Sequence, residues 1–272
     1  MALPLDGKSS LNTSANGKTT LMTSRRSFIA GWKLCAGVAL GLCLAGRSAS
    51  AAGQNPGQKG QNACFLPGTR IKTTEGEINI EELRIGDNVL TAAGELKPIK
   101  FIGRRNVSRK RTAPWSDESP VKISRFAING KVPHSDLYVS PWHAIYLDNI
   151  LIPAKYLVNG TTIVADAKPE ALSLTYFHIE LDTHEAILAE GLAVESYLRD
   201  NLHAFDNADK YVKLYGPPGE PLVPFAPYVR YSRRQELASH IRSTLAPVYD
   251  FRKPIDRVRD RITDHVDFAQ AA

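Results

Sequence analysis

From Cys64 onward the chain is written in short runs of β-branched and aromatic residues, most of them closed by Gly, Pro, Asn or Asp. Ile71-Lys72-Thr73-Thr74, Asn88-Val89-Leu90-Thr91, Lys100-Phe101-Ile102, Val121-Lys122-Ile123, Leu137-Tyr138-Val139, Ala144-Ile145-Tyr146-Leu147 and Leu174 to Leu181 each read as a strand. That spacing predicts a mainly β domain over 64–199 and argues against a parallel α/β one, which would interpose helical periods. Its first residues, Cys64-Phe65-Leu66-Pro67-Gly68-Thr69, set a thiol just ahead of a Pro-Gly turn, at the entrance to the β fold. Arg104 to Trp115, with Arg104, Arg105, Arg109, Lys110 and Arg111, reads as a solvated basic loop.

Beyond Arg199 the pattern changes. Residues 200–231 are irregular and carry Pro217, Pro218, Pro221, Pro224 and Pro227, which predicts an extended arm. The extension 232–272 holds two short helical patterns. Ser232-Arg233-Arg234-Gln235 looks like a capping box opening a helix to about Leu245, ended by Pro247. Pro254 opens the other, in which Ile255, Val258, Ile262 and Val266 share one face.

Before Cys64 nothing is strand-like. Residues 1–51 combine a long polar leader, Ser24-Arg25-Arg26-Ser27-Phe28-Ile29, an apolar run from Leu34 to Ala45 and Ser48-Ala49-Ser50-Ala51. Paired arginines, a short apolar region and a small-residue site make an export signal resembling the twin-arginine type. The apolar run, about 12 residues against the roughly 20 a bilayer requires, is short for a transmembrane anchor. The expected location is therefore periplasmic or secreted, with no stable membrane span after processing. Residues 52–63 (AGQNPGQKGQNA) read as a flexible spacer.

Charge follows the same division. The formal net charge of the 272 residues is +6, but residues 1–51 hold Lys8, Lys18, Arg25, Arg26, Lys33 and Arg47 against Asp6 alone. The remainder is nearly neutral, so the basic balance does not indicate nucleic acid. Cys35 and Cys43 lie in the apolar run, leaving Cys64 as the one thiol of the exported part. A lone thiol in an oxidising compartment is buried, paired between chains or used.

Two further stretches carry polar chemistry. In Val139-Ser140-Pro141-Trp142-His143, Pro at the second place of a turn presets its dihedral, bringing Ser140 and His143 together. In Tyr176 to Ser196, a strand, a polar turn with Asp182 and His184 and a second strand fit a hairpin. No His or Cys pair has metal-ligand spacing, so neither a metal nor another cofactor is expected.

These three blocks, in this order over 64–196, resemble the Hint (Hedgehog/intein) domain. The resemblance implies a compact Hint-type β fold whose opening Cys is an autoprocessing nucleophile. Cys64 matches that residue, Ser140 and His143 match a Thr-x-x-His element with Ser for Thr, and His184 matches the His of the penultimate block. Splicing domains end in His-Asn followed by a nucleophile, because the Asn amide attacks its own carbonyl. Here Glu195-Ser196 stands in that place, and Glu has no such amide, so splicing is not expected.

What remains is an N-to-S acyl shift with cleavage at Ala63-Cys64, the chain's own N-terminal peptide being the substrate. Water or a small thiol or alcohol would trap the thioester. The expected roles are His143 protonating the leaving nitrogen, Ser140 bonding the tetrahedral oxygen or the strained amide, and either Asp182 or His184 taking the thiol proton. A twin-arginine translocase and a signal peptidase would be partners during export. Because that route moves folded chains, processing must be slow, triggered after export, or absent. The alternative is a catalytically silent exported scaffold that keeps the fold for binding.

Overall fold

The structure, a computed structural model, describes residues 63–108, 118–165, 167, 168, 170–229, 238, 239, 241–244, 246 and 250–271. The expected signal, the spacer up to 62, the second half of the basic loop and the capping box at Ser232 lie outside them.

The fold is mainly β. The larger sheet has eight strands: β1 (Arg70–Thr73), β2 (Gly76–Asn79), β3 (Asn88–Leu90), β4 (Leu96–Pro98), β8 (Ala144–Leu147), β9 (Ile150–Pro153), β12 (Ala186–Ala189) and β13 (Leu192–Glu195). They run in the order β4-β3-β1-β12-β13-β8-β9, with β2 paired to β1. Every pairing is antiparallel, as short strands joined by tight turns require.

A second group holds β6 (Val121–Ile123), β7 (Leu137–Val139) and β10 (Ile163–Val164), and a long ribbon joins β5 (Phe101–Ser108) to β11 (Ser173–Glu180). Phe65 stitches the two together, bridging Val139 on β7 and Phe177 on β11. Its N–H donates to the Phe177 carbonyl at 2.8 Å and its carbonyl accepts from the Phe177 N–H at 2.9 Å. The chain therefore enters this fold through the middle of a sheet, and Cys64 is placed by strand hydrogen bonding.

Three expectations change. Arg104 and Arg105 lie in β5, opposite Phe177 and Tyr176, so the basic stretch begins as a strand. The expected hairpin across Asp182 does not form, because β11 pairs with β5 while β12 pairs with β13. The hairpin turns instead at Glu190-Gly191, where φ is 48° and 76°, the two positive values a two-residue turn needs. The arm also contains a helix, α1 (Ala208–Tyr215), which closes at Gly216 (φ 78°) just before Pro217.

After α1 the arm runs back across the domain. The Leu222 N–H donates to the Leu198 carbonyl at 2.9 Å. Tyr228 pairs in parallel with Leu151, covering the outer edge of β9. The C-terminal helix Pro254–Ala271 buries Ile255, Val258 and Ile262 in the main core, alongside Ile71, Val139 and Ile187. Leu66, Phe101, Tyr176, Tyr197, Phe205 and Tyr211 form a separate aromatic cluster, and Cys64 belongs to it. No helix among the described residues is long and apolar enough to cross a membrane.

Candidate functional site

Cys64 is 1% exposed. Its backbone is held from both sides by Ser140, the residue that follows β7. The Cys64 N–H donates to Ser140 Oγ at 2.8 Å, and the Ser140 N–H donates to the Cys64 carbonyl at 2.8 Å. The expected turn forms, with the His143 N–H donating to the Ser140 carbonyl at 3.1 Å. Proline at its second position presets that geometry. His143 is thereby folded near the Cys64 backbone, its ring 4.2 Å from that of Phe65.

The surroundings of His143 are unusual for a polar ring. It is wholly buried, and neither ring nitrogen makes a formed hydrogen bond. His178, inward-facing on β11, stands 5.0 Å away between ring centres, and its Nδ1 is likewise without a partner. Burial pulls the pKa of His143 down to about 4, despite the opposing pull of the Glu195 charge and of the Cys64 and Glu195 backbone. His178 is held well below the usual range by burial and then by His143 and His184. Both rings are neutral at ordinary pH.

Glu195 anchors the other wall. Its Oε1 accepts the Ala144 N–H at 2.6 Å, and the Tyr228 hydroxyl of the arm donates to its Oε2. His184 Nε2 lies 3.6 Å from the same oxygen. Burial alone would raise this carboxyl, but His184, His143 and Tyr228 more than offset it and hold it below its usual range. His184 is fixed on its far side, its Nδ1 accepting the Phe225 N–H at 3.4 Å. Ser196 is buried, and its Oγ accepts the Glu185 N–H at 2.9 Å.

The thiol itself faces an aromatic cluster. Burial pushes it far above the usual range; the Arg105 guanidinium favours the thiolate, while Glu118, Glu195 and Asp200 oppose it. Arg105 pairs with Glu118. Beside the peptide, on the Ala63 side, lies a cavity of ≈ 20 Å³ bordered by Ala63, Trp142, His178, Glu195, Asp200 and Tyr228. That is room for one water molecule.

Of the residues the sequence singles out, Cys64, Ser140 and His143 are brought together, and His184 joins them through Glu195. Asp182 is not: its side chain is 77% exposed and lies 3.4 Å from Lys100. His178, which reads from the sequence as structural, Arg105, which reads as part of a solvated loop, and Asp200 and Tyr228 are not among the expected site residues. For His178 a signal existed, since Tyr176, His178 and Glu180 alternate at period two, a polar line on one face of a strand. Tyr228 and Asp200 come from the arm and the turn before it, where no local pattern announces a site.

One group could be mistaken for a metal centre. Glu77, His134 and Glu190 offer ligand atoms within 4.8 Å of one another. The Arg70 guanidinium already lies 2.7 Å from Glu190 and 3.6 Å from Glu77, supplying the positive charge.

Known proteins bear on this arrangement. A family model described as Hint domain matches residues 63–201. Among solved structures, the chain is similar to the gp41-1 intein, with 12% identity over 49% of this chain and 98% of that one and a TM-score of 0.31. It is similar to a bacterial intein-like domain from Clostridium thermocellum, with 13% identity over 49% and 97% and a TM-score of 0.29. A DnaB intein from Synechocystis gives 9% identity over 50% and 99% and a TM-score of 0.33. No curated protein matches. With the family model spanning half the chain, from Ala63 through the turn after Glu195, this protein belongs to the Hint domain family.

Proposed function

We propose that this chain is a latent self-processing domain that cleaves its own backbone at Ala63-Cys64 by an N-to-S acyl shift, without splicing. The observation that carries the reading is the two-way hydrogen bonding between Ser140 and the Cys64 backbone, at the head of the turn that also carries His143. In the shift, Cys64 Sγ bonds to the Ala63 carbonyl carbon, the Ala63-Cys64 C–N bond breaks, and the thiol's proton ends on the freed amine. The neutral imidazole of His143, near the Cys64 backbone, suits that transfer. Ser140 holds the peptide in place. Splicing is not part of the proposal, since Glu195-Ser196 offers no side-chain amide to cyclise. The export signal over 1–51 belongs to the same reading, and the domain then releases the peptide ahead of Cys64.

Latency follows from the thiol. Sealed and protonated, it attacks only when the aromatic cluster opens or Arg105 is brought fully to bear. The same burial favours a second reading, in which the fold is a silent scaffold. Fusing a bulky domain upstream of Ala63 and following fragment masses with and without dithiothreitol or hydroxylamine decides between them. Thiol-dependent release that disappears in Cys64→Ala and falls at least tenfold in His143→Ala is expected. A fusion intact under every condition rejects self-processing in favour of the scaffold.

A further inference from the structure

We propose that Asp200 is the general base for the water that hydrolyses the Ala63-Cys64 thioester, acting in the small cavity beside Ala63. The inference rests on the acyl-shift reading above and names the acceptor nucleophile, which that reading leaves open between water and small thiols or alcohols.

The cavity has room for one water beside the acyl carbon's own residue, Ala63, and two carboxylates border it, Glu195 and Asp200. Glu195 is unsuited to taking a proton. Both its oxygens accept hydrogen bonds, from Ala144 N–H and Tyr228 OH, and its neighbours hold it ionised. Asp200 has no ion-pair partner among the described residues. Exposed as a residue, it is reachable by water, while desolvation, with the Glu195 charge adding, pushes its carboxyl up to about 6 against the pull of its own and the Asn201 backbone N–H and of His184. A base poised near neutrality is what proton abstraction from water requires.

The turn that carries Asp200 is bolted down. Arg199, immediately before it, holds φ at 62°, a conformation that a non-glycine residue keeps only when its surroundings impose it. They do so here: Arg199 Nε donates to the buried Glu180 at 2.8 Å. On one flank the Tyr197 N–H donates to the Ile179 carbonyl at 2.7 Å. On the other the Asn201 N–H donates to the Tyr197 hydroxyl at 2.9 Å. Backbone strain paired with this much anchoring places Asp200 at the cavity wall with little freedom.

The step balances without any further reagent. Water oxygen bonds to the Ala63 carbonyl carbon as Asp200 takes one of its protons. The bond from that carbon to Cys64 Sγ then breaks with its electron pair leaving on sulfur. The thiolate recovers the proton from Asp200, so the base is regenerated and Ala63 ends as a free carboxyl. Burial disfavours the thiolate, so the proton moves from Asp200 to sulfur and the single negative charge ends on the carboxylate.

The test uses the full chain with the bulky upstream fusion and reads two release rates. Without added thiol, release needs an activated water; with dithiothreitol, the added thiol is the nucleophile and no water is involved. In Asp200→Asn, thiol-free release is expected to fall about 100-fold, with dithiothreitol release within threefold of the parent chain and a hydroxylamine-trappable thioester accumulating. Asp200→Glu is expected to recover part of the thiol-free rate. Unchanged thiol-free release in Asp200→Asn, with Cys64→Ala inactive, overturns the role of Asp200 and leaves the acyl shift standing. Loss of both rates together in Asp200→Asn overturns it too, by assigning Asp200 to the fold or to the shift. A parent chain that releases nothing under either condition overturns the acyl shift itself.

Discussion

His143 and Cys64 both sit in places where their charged forms are expensive, and each writes that into a measurable pH dependence. An unfolded histidine titrates near 6.5, whereas His143 in the folded chain titrates at about 4. As pH falls below 6.5 the unfolded chain takes a proton that the folded chain refuses, so stability is lost between about 6.5 and 4. At 1.4 kcal/mol per pH unit this amounts to about 3 kcal/mol for His143, and His178 adds in the same direction. Asp200 opposes, since its raised pKa lets the folded chain accept a proton earlier as pH falls. Urea midpoints of the parent and His143→Gln between pH 7 and 4 check this; the variant is expected to show the shallower acid loss, and equal slopes would assign the loss elsewhere. For Cys64 the sign reverses. Its thiol is raised, so stability declines as pH climbs past the ordinary thiol range. In a chain carrying Cys35→Ser and Cys43→Ser, a disulfide reagent at pH 8 is expected to label Cys64 only at the rate at which the aromatic cluster opens, a rate that rises with urea.

At the scale of elements, close approach matters more than propensity. Gly103 on β5 lies opposite His178 on β11, and a Cβ there would come within 2.7 Å of the Phe205 ring. That ring packs edge-on to Tyr197 at 5.1 Å, inside the cluster that seals the thiol. Gly103→Ala is expected to cost about 1–3 kcal/mol by overpacking. In Gly103→Ala/Phe205→Leu the two costs should be less than additive, a coupling that a double-mutant cycle in urea reads directly. Elements like this mark where sequence reading stops. Strands such as Leu137–Val139 and Ala144–Leu147 were legible because alternation and turn residues are local. The pairing of β11 with β5 was not, since Arg105 and Tyr176 meet across a long stretch of chain and no local turn joins them. Asp182 and His184 looked equivalent for the same reason: both sit in one polar turn, and only the fold decides that Lys100 meets the first and Glu195 the second. The Ser140-Pro141-Trp142-His143 turn was legible because proline fixes it without tertiary help.

On the scale of the whole molecule, the chain closes over its own site after passing Glu195-Ser196. The stripe of Ile255, Val258 and Ile262, readable from spacing alone, tethers the C-terminal end to the main core. Between that helix and α1, the proline-rich arm lies along β9 and delivers Tyr228 to Glu195 and Phe225 to His184. A proline-rich stretch advertises extension but not what it covers, so this closure was invisible in the sequence. It makes the arm part of the electrostatics of the site, and Tyr228→Phe isolates that contribution because the ring stays and only the donor goes. Removing a hydrogen bond to a buried charge costs about 1.5–3 kcal/mol. The loss should itself depend on pH: Tyr228 is one of the groups holding the Glu195 carboxyl below its usual range, so its contribution is present in full near pH 7, where Glu195 is ionised in both folded and unfolded chains. It fades as pH falls through the carboxylate range, where the unfolded chain takes up the proton first. Urea midpoints of the parent and Tyr228→Phe at pH 7 and pH 4 measure this directly. A gap that narrows toward acid identifies the arm as a clamp on the Glu195 charge, whereas a gap of constant size would show that the Tyr228 hydroxyl contributes independently of that charge.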